Sequence, residues 1–584
     1  MPPIVTASPQ WVLHPNHSPE AASALARALG SPVAVGHALV NRGIRRESEA
    51  RDFLEPSLEN LHEPSHMLDL DRAVERILAG VARGERMFVQ GDYDVDGITS
   101  TFLLTSTLEE LGARVEYHIP HRINDGYGLT ERSIDEAHRR GCTLVITVDC
   151  GITAVEAIAH ARTLGIDTIV TDHHEPPVVL PNAYAILNPL RPGCPYPFKS
   201  LAGVGVAFKL AEQLLRGRGG LDRARSYLDV VALGTIADVV PLVGENRVLA
   251  RLGLDRLNQE PRLGLRSLME VSRVGGKSGA RSTAAGPAPR KAITSGHVAF
   301  VLAPRINAAG RLGNAEQGLR LLLARDPGEA EAIARSLEDD NNRRRQMDEQ
   351  VLIEAEGMVK GLGYPDCSSI LLWSDKWHPG VIGIVASRLV ERFQRPTVLV
   401  ALKDGRGRGS GRSLPGIDLT RLLDGCDDLL LAHGGHAFAA GLSVTPEHLP
   451  ELRERFERLV RAQSQPDQFV QQLELDAEVR AGECDMELVE WLERMAPHGL
   501  DNPEPVFRMT QARVDQVQEV GGGKHVRLRA SDDSGSVEAI GFGMGEQARA
   551  LAAAGRADLA FVPTRNDYLD ETRVQLKLKG IRIP

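Results

Sequence analysis

Between Glu85 and Thr171 the chain repeats one pattern, a short apolar or β-branched run followed by a helical stretch. Met87-Phe88-Val89, Arg114 to Ile119, Leu144 to Val148 and Thr168-Ile169-Val170 read as strands. Ile98 to Leu111, Leu129 to Arg140 and a segment ending near Leu164 read as the helices between them. Few folds accept such alternation. It predicts a parallel sheet with helices on both faces.

The strand ends carry the chemistry. Asp92, Asp94 and Asp96 follow the first strand, Asp149 ends another, and Asp172-His173-His174 follows the next. Loops at the carboxyl ends of such strands converge on one crevice. Asp238 lies beyond a helical stretch and can close the site from the side. Any one of these acids is most simply a helix cap. The ordered set points instead to a two-metal phosphoesterase centre. Carboxylates mixed with imidazole suit Mn²⁺ or Mg²⁺, and such a pair activates water for attack on phosphate. Asp149, alone on a central strand, is the expected bridge.

The 584 residues are too many for one core and predict two to four domains. Residues 1–60 read as an N-terminal lead-in and 61–325 as the first α/β domain. Residues 326–362 form one long charged helical pattern, expected to be solvated and to connect two domains. Residues 363–465 read as a second α/β domain opening at Ser369 to Trp373. In 466–584, Val514–Val520, His525–Ala530, Ser536–Gly541, Leu559–Pro563 and Val574–Leu578 read as five short strands. Five strands of this kind predict a barrel of the oligonucleotide-binding (OB) type. The Gly/Ala/Ser/Pro-rich stretch 275–292 reads as a flexible insertion. No apolar run is long enough to span a bilayer, and Met1 to Thr6 does not begin a secretory signal. Six scattered cysteines fit a reducing cytoplasm. The net charge of -10 counts mildly against nucleic-acid binding, but a metal site concentrates carboxylates and local arginine clusters still grip phosphate.

These motifs resemble the DHH phosphoesterase superfamily, and within it the bacterial single-strand-specific 5′→3′ DNA exonucleases. The resemblance also rests on Ile119-Pro120-His121-Arg122, Gly126 to Leu129, Leu201 to Gly205 and Pro304 to Arg311. Trp377 to Gly383 and Gly434 to Gly441 belong to it too. It implies a DHH domain, a connecting helix, a DHH-associated domain and an OB barrel. It implies that Asp94, Asp96, Asp149, His173 and Asp238 hold two divalent cations, with Asp92 a ligand or the partner of one. His174 then faces the scissile phosphate, and Arg122, Arg305, Ser410 and Arg412 anchor the 5′ end. Gln90 stands where other branches of the superfamily have a metal-binding histidine. The implied partners are single-stranded DNA, a single-stranded-DNA-binding protein and a helicase, for a cytoplasmic monomer acting in recombination and repair.

Gly435 and His436, preceded by the Arg/Gly run 405–412, read as half of a phosphate cradle, with Arg408 and Arg412 offering guanidinium forks. Lys524, Arg527 and Arg529 fit a DNA track and a solvated strand face equally well. Trp373 and Trp377 are expected in the core. Cys150 has no base placed to activate it and is not expected to act as a nucleophile. Two other functions compete: a small-substrate phosphoesterase, disfavoured by the β-rich C-terminal segment, and a non-catalytic scaffold, disfavoured by the intact acids.

Overall fold

A computed structural model describes residues 9–121, 128–275, 292–568 and 571–584. The chain forms two compact units. The larger comprises Leu13–Leu337 and Glu474–Pro584; the smaller comprises Glu338–Leu473 with the N-terminal stretch ending at Val12.

The larger unit contains the expected parallel sheet. Its order is Arg114–His118, Arg86–Gln90, Cys142–Val148, Asp167–Thr171 and Ala185–Leu187. All pairings are parallel. After Arg86–Gln90 the chain moves to one side of that strand, then crosses to the other side to form Cys142–Val148. The crossing opens a crevice at the carboxyl ends of these two strands. Gln90 pairs with Thr147, and Val148 with Thr171, so the loops that follow leave the sheet at one level. Helix Val95–Glu110 starts where its N-cap Asp94 accepts a hydrogen bond from the Gly97 N–H at 3.0 Å. Both sheet faces are covered, with Met87, Val89 and Ile146 in one apolar cluster and Phe88, Val145 and Val170 in another.

The same unit holds the barrel. All five expected strands are present, as Phe507–Val520, His525–Asp532, Gly535–Gly541, Arg556–Tyr568 and Glu571–Arg582. The third pairs in parallel with the fifth, and the fourth closes onto the first. This is the five-stranded connectivity of an OB barrel.

The N-terminal residues form helices Pro19–Leu29, Val33–Asn41 and Glu47–Leu54. Their Leu25, Val35, Leu39 and Leu54 share one core with Phe507, Leu528 and Phe561 of the barrel. Buried Arg247 ties the segments together, donating to the carbonyls of Phe53 at 2.8 Å, Met495 at 2.8 Å and Arg494 at 3.0 Å. Burial pushes this guanidinium down to about 9, and the three charge-assisted bonds compensate for the lost water.

The smaller unit has a mixed sheet in the order Leu430–His436, Ala439–Val444, Arg406–Arg412, Thr397–Lys403 and Ile370–Ser374. Trp377 is buried there with its indole N–H on Glu354 at 3.0 Å, a core role as expected. The long helix, Pro327–Val359, begins in the larger unit and continues in the smaller. It is less solvated than expected, because Asn341, Arg344 and Asp348 are buried and bonded to one another. The insertion expected at 275–292 lies, apart from its ends, outside the described residues.

Candidate metal centre

The acids and imidazoles meet at the crevice. His173 Nε2 lies 3.2 Å from Asp149 Oδ1, 3.5 Å from Asp238 Oδ2 and 3.9 Å from Asp96 Oδ2. Three groups have donor atoms mutually within 4.8 Å: Asp92 with Asp94 and Asp149, Asp96 with His173 and Asp238, and Asp149 with His173 and His174. Asp149 and His173 each belong to two of them.

The backbone is shaped to bring these side chains together. Asp149 adopts φ 60°, left-handed and uncommon for a residue with a β-carbon. A β-carbon on Gly97 would stand 2.7 Å from the Asp92 backbone, so the tight turn after the first strand needs glycine. Asp96 accepts from Gly203 N–H at 2.7 Å and Val204 N–H at 2.8 Å, at the start of helix Gly203–Leu214. Asp238 sits at the end of helix Leu228–Ala237.

Electrostatics test whether cations fit. Burial pushes Asp96 up to about 7, with the charge of Asp94 adding to it. Burial and the charge of Asp96 push Asp149 and Asp238 well above the usual carboxylate range. Burial, then neighbouring His174, pushes His173 down to about 4, so its imidazole is neutral near pH 7. Its Nε2 is buried and makes no hydrogen bond, while the ring is bonded to the Leu201 backbone. Carboxylates that resist ionisation together, beside a neutral and orphaned imidazole nitrogen, match a divalent oxygen- and nitrogen-ligated cation. The donor set fits Mn²⁺ or Mg²⁺.

Asp172 has a different task. Its carboxylate accepts from the N–H groups of Ile152, His173 and His174 at 2.9, 2.8 and 3.1 Å, and meets His174 Nδ1 at 2.7 Å. Burial opposes its ionisation, but the His174 hydrogen bond leads the effects that hold it below the usual range. The same bond raises His174 against the opposing effect of burial. Gln90 does not take the place of a histidine ligand. Its amide donates to the carbonyls of Gly91 at 3.0 Å and Gly128 at 3.3 Å, and its oxygen meets His118 Nδ1 at 3.1 Å.

Arg305 lies on helix Ala303–Leu312, buried, with Nη1 on the Val301 carbonyl at 2.6 Å. That helix holds the Asp94 loop: Asn307 Oδ1 accepts from Val95 N–H at 3.1 Å, and a β-carbon on Gly310 would meet Tyr93 O at 2.6 Å. Nothing in the spacing of 304–311 pointed to Asn307. Arg122 lies outside the described residues. Ser410, Arg412, Gly435 and His436 are in the smaller unit. Arg412 Nη1 donates to Ser410 Oγ at 3.2 Å and Gly411 O at 2.7 Å, beside Gly383 on helix Ile382–Phe393. His436 pairs with Ala439, which pairs with Arg412, so imidazole and guanidinium lie at one level of the sheet. Gly435 has φ 144°. On the barrel, Arg529 stands in register with Asp515 and Glu538, and Arg527 is bonded to Gln518, which favours a solvated strand face.

A parallel sheet whose carboxyl edge gathers these acids and the Asp-His-His triplet defines a DHH-type phosphoesterase. Family models match in the same places: the DHH family N-terminal domain over residues 86–235, the DHHA1 domain over 366–462 and the RecJ OB domain over 475–580. The chain is 37% identical to the single-stranded-DNA-specific exonuclease RecJ of Bacillus subtilis, covering 94% of this chain and 68% of the relative. To the Escherichia coli RecJ it is also 37% identical, covering 83% and 86%. The structure of Thermus thermophilus RecJ with Mn²⁺ superposes with a TM-score of 0.82 at 32% identity, covering 98% of this chain and 80% of that one. The chain belongs to the RecJ family of exonucleases.

Proposed function

We propose that this chain is a single-stranded-DNA-specific exonuclease. It hydrolyses the phosphodiester nearest the 5′ end, releases nucleoside 5′-monophosphates and serves DNA recombination and repair. The observation that carries the reading is the convergence of Asp96, Asp149 and Asp238 on the one neutral nitrogen of His173.

Asp92, Asp94 and Asp149 would hold one cation, and Asp96, His173 and Asp238 the other, with Asp149 shared. When bound, such a pair lowers the pKa of a water and neutralises charge on the phosphate. The side chains supply position. Asp172, bonded to Nδ1 of His174, fixes that ring and favours its protonated form. The ring's other nitrogen can then donate to a phosphate oxygen as negative charge builds on it. The resemblance assigns the terminal phosphate to Arg122, Arg305, Ser410 and Arg412, and within the smaller unit Arg412 and Ser410, with Gly435 and His436 on the neighbouring strands, offer a phosphate cradle. Among the described residues no helix is long and apolar enough to cross a membrane. The reading extends, through the resemblance, to a cytoplasmic monomer working with a single-stranded-DNA-binding protein and a helicase.

The test is an end-labelled single strand with Mn²⁺ or Mg²⁺. Shortening from the 5′ end, with duplex spared, is expected. Arg412→Ala should lose on the order of tenfold more efficiency on 5′-phosphorylated than on 5′-hydroxyl strands, the size of one charge-assisted contact. Shortening from the 3′ end, or release of product only from dinucleotides, would favour another member activity of the superfamily.

A further inference from the structure

Glu245, Asn246 and Arg247 are consecutive, polar and buried, at the start of helix Gly244–Gln259. Each reaches in a different direction. Glu245 accepts from the Tyr196 hydroxyl at 2.7 Å and pairs with Lys209 Nζ at 2.9 Å. Lys209 belongs to helix Gly203–Leu214, so this ion pair ties the two helices together. Arg247 is held by the carbonyls of Phe53, Met495 and Arg494. A helix start secured on both flanks in this way is a rigid post, and Asn246 stands on it fully buried.

The amide nitrogen of Asn246 donates to the Ser200 carbonyl at 2.5 Å and to the Pro241 carbonyl at 3.1 Å. A carboxamide has two N–H donors, and these two bonds use both. The segment that follows Ser200 serves the candidate centre twice. The Leu201 backbone is bonded to the His173 ring, and the N–H groups of Gly203 and Val204 go to Asp96. Pro241 lies on the loop that leaves Asp238. One carboxamide therefore joins the segment that orients Asp96 and His173 to the loop that bears Asp238. These three side chains form one of the donor groups. The amide oxygen of Asn246 is buried and accepts no hydrogen bond among the described residues. A buried polar atom left so is costly. Filling space does not explain an asparagine here, because an apolar side chain of similar size would fill it without that cost.

We propose that Asn246 is a positioning residue of the metal centre, which sets the separation of Asp238 from Asp96 and His173 and thereby the affinity of the cation those three would hold. The assignment rests on the two-cation reading above and adds to it the group that holds one half of the site in register. Its effect falls on one cation. Asp92, Asp94 and Asp149 form the other donor group, and neither segment bonded by Asn246 carries any of them.

The test titrates Mn²⁺ into the metal-free full chain by calorimetry, for wild type, Asn246→Leu and Asn246→Ala. Leucine fills nearly the same space and donates nothing. Alanine covers the case in which the leucine side chain prevents folding, which circular dichroism reports. Leu257→Ala, a packing loss in the buried face of the same helix, is the control for lost stability. Wild type should take up two Mn²⁺. In the Asn246 variants one of the two should bind on the order of tenfold or more weakly, the usual size of losing a residue that orients a metal ligand. The other should keep wild-type affinity, as both should in Leu257→Ala. On 5′-phosphorylated single strands the half-saturating Mn²⁺ should rise by the same factor, while KM for the strand at saturating Mn²⁺ stays unchanged. Wild-type uptake of both ions by a folded Asn246 variant, or equal weakening of both, overturns the proposal. A wild type that binds a single Mn²⁺ overturns it too, together with the two-cation reading. A wild type that binds two Mn²⁺ yet leaves single strands intact sinks the exonuclease reading alone, and the calorimetry still decides for Asn246.

Discussion

Gly203 and Asp149 are packed so closely that a β-carbon on Gly203 would stand 2.5 Å from Asp149 Oδ1. The same glycine donates its N–H to Asp96 Oδ2 at 2.7 Å. One residue without a side chain thus lets the start of a helix seat two carboxylates of the candidate metal centre. Gly203→Ala should therefore displace that helix start from both acids. The expected result is a folded protein with at least about a hundredfold loss of activity, since small displacements at a reacting centre have effects of that order. Circular dichroism with steady-state rates checks it, and near-normal turnover would show that the contact can relax.

Asp149→Asn removes a charge that burial and Asp96, Asp94, Asp238 and Asp92 all oppose. Hydrolysis should be lost, because the proposed shared ligand is gone. The metal-free protein should nevertheless melt at a higher temperature than metal-free wild type, because like charges buried together destabilise the fold. Adding Mn²⁺ should raise the wild-type Tm far more than that of the variant. A variant that melts lower than metal-free wild type would contradict this account of the cluster.

Val239 follows Asp238 with φ 60° and is 63% exposed. A β-branched residue in this conformation is strained, by roughly 1–2 kcal/mol. Val239→Gly should relieve that strain without emptying any core, for a net gain of up to about 1 kcal/mol once the added freedom of the unfolded chain is subtracted. It should also loosen Asp238, and kcat should fall. Urea melts and kinetics together check this; lower stability would mean that Val239 packs where its exposure says it does not.

His498 is pushed down to about 4, by burial first and then by the charge of Arg42. In the unfolded chain it titrates near 6.5. Between these values the unfolded state binds a proton that the native state refuses, so stability falls as pH falls from about 6.5 towards 4. At pH 5 the loss should reach roughly 2 kcal/mol. His498→Gln should flatten that slope in urea melts at pH 7.5 and pH 5, and an unchanged slope would assign the acid sensitivity to other groups.

The strands and helices between Glu85 and Thr171 were legible because each rests on local patterning. The run Leu144 to Val148 is apolar enough to be a buried strand wherever it lies, and Asp149 must then emerge at its end. The barrel strands were legible for the same reason, through alternation over a few residues. Which acid does what was not. Asp172 stands in the motif beside two histidines, yet its oxygens are taken by backbone N–H groups and by His174. Gln90 stands where the resemblance places a metal-binding histidine in other branches of the superfamily, yet its amide turns to Gly91, Gly128 and His118. Side-chain direction depends on neighbours that spacing cannot name.

Long-range packing was equally hidden. Helices Pro19–Leu29 and Val33–Asn41 read as a lead-in, because their short apolar stripes do not say what they cover. They share a core with strands more than 450 residues away, such as Phe507–Val520. The chain's own sequence determined the elements, the edge at which the acids collect and the metal type they suit, since propensity, periodicity and ligand chemistry act locally. Only the tertiary structure decided that Asp96 and Asp149 meet through Gly203, that Asn307 holds the Asp94 loop and that Asn246 joins the Ser200 and Pro241 carbonyls. Those outcomes depend on which surfaces come together once the chain has folded.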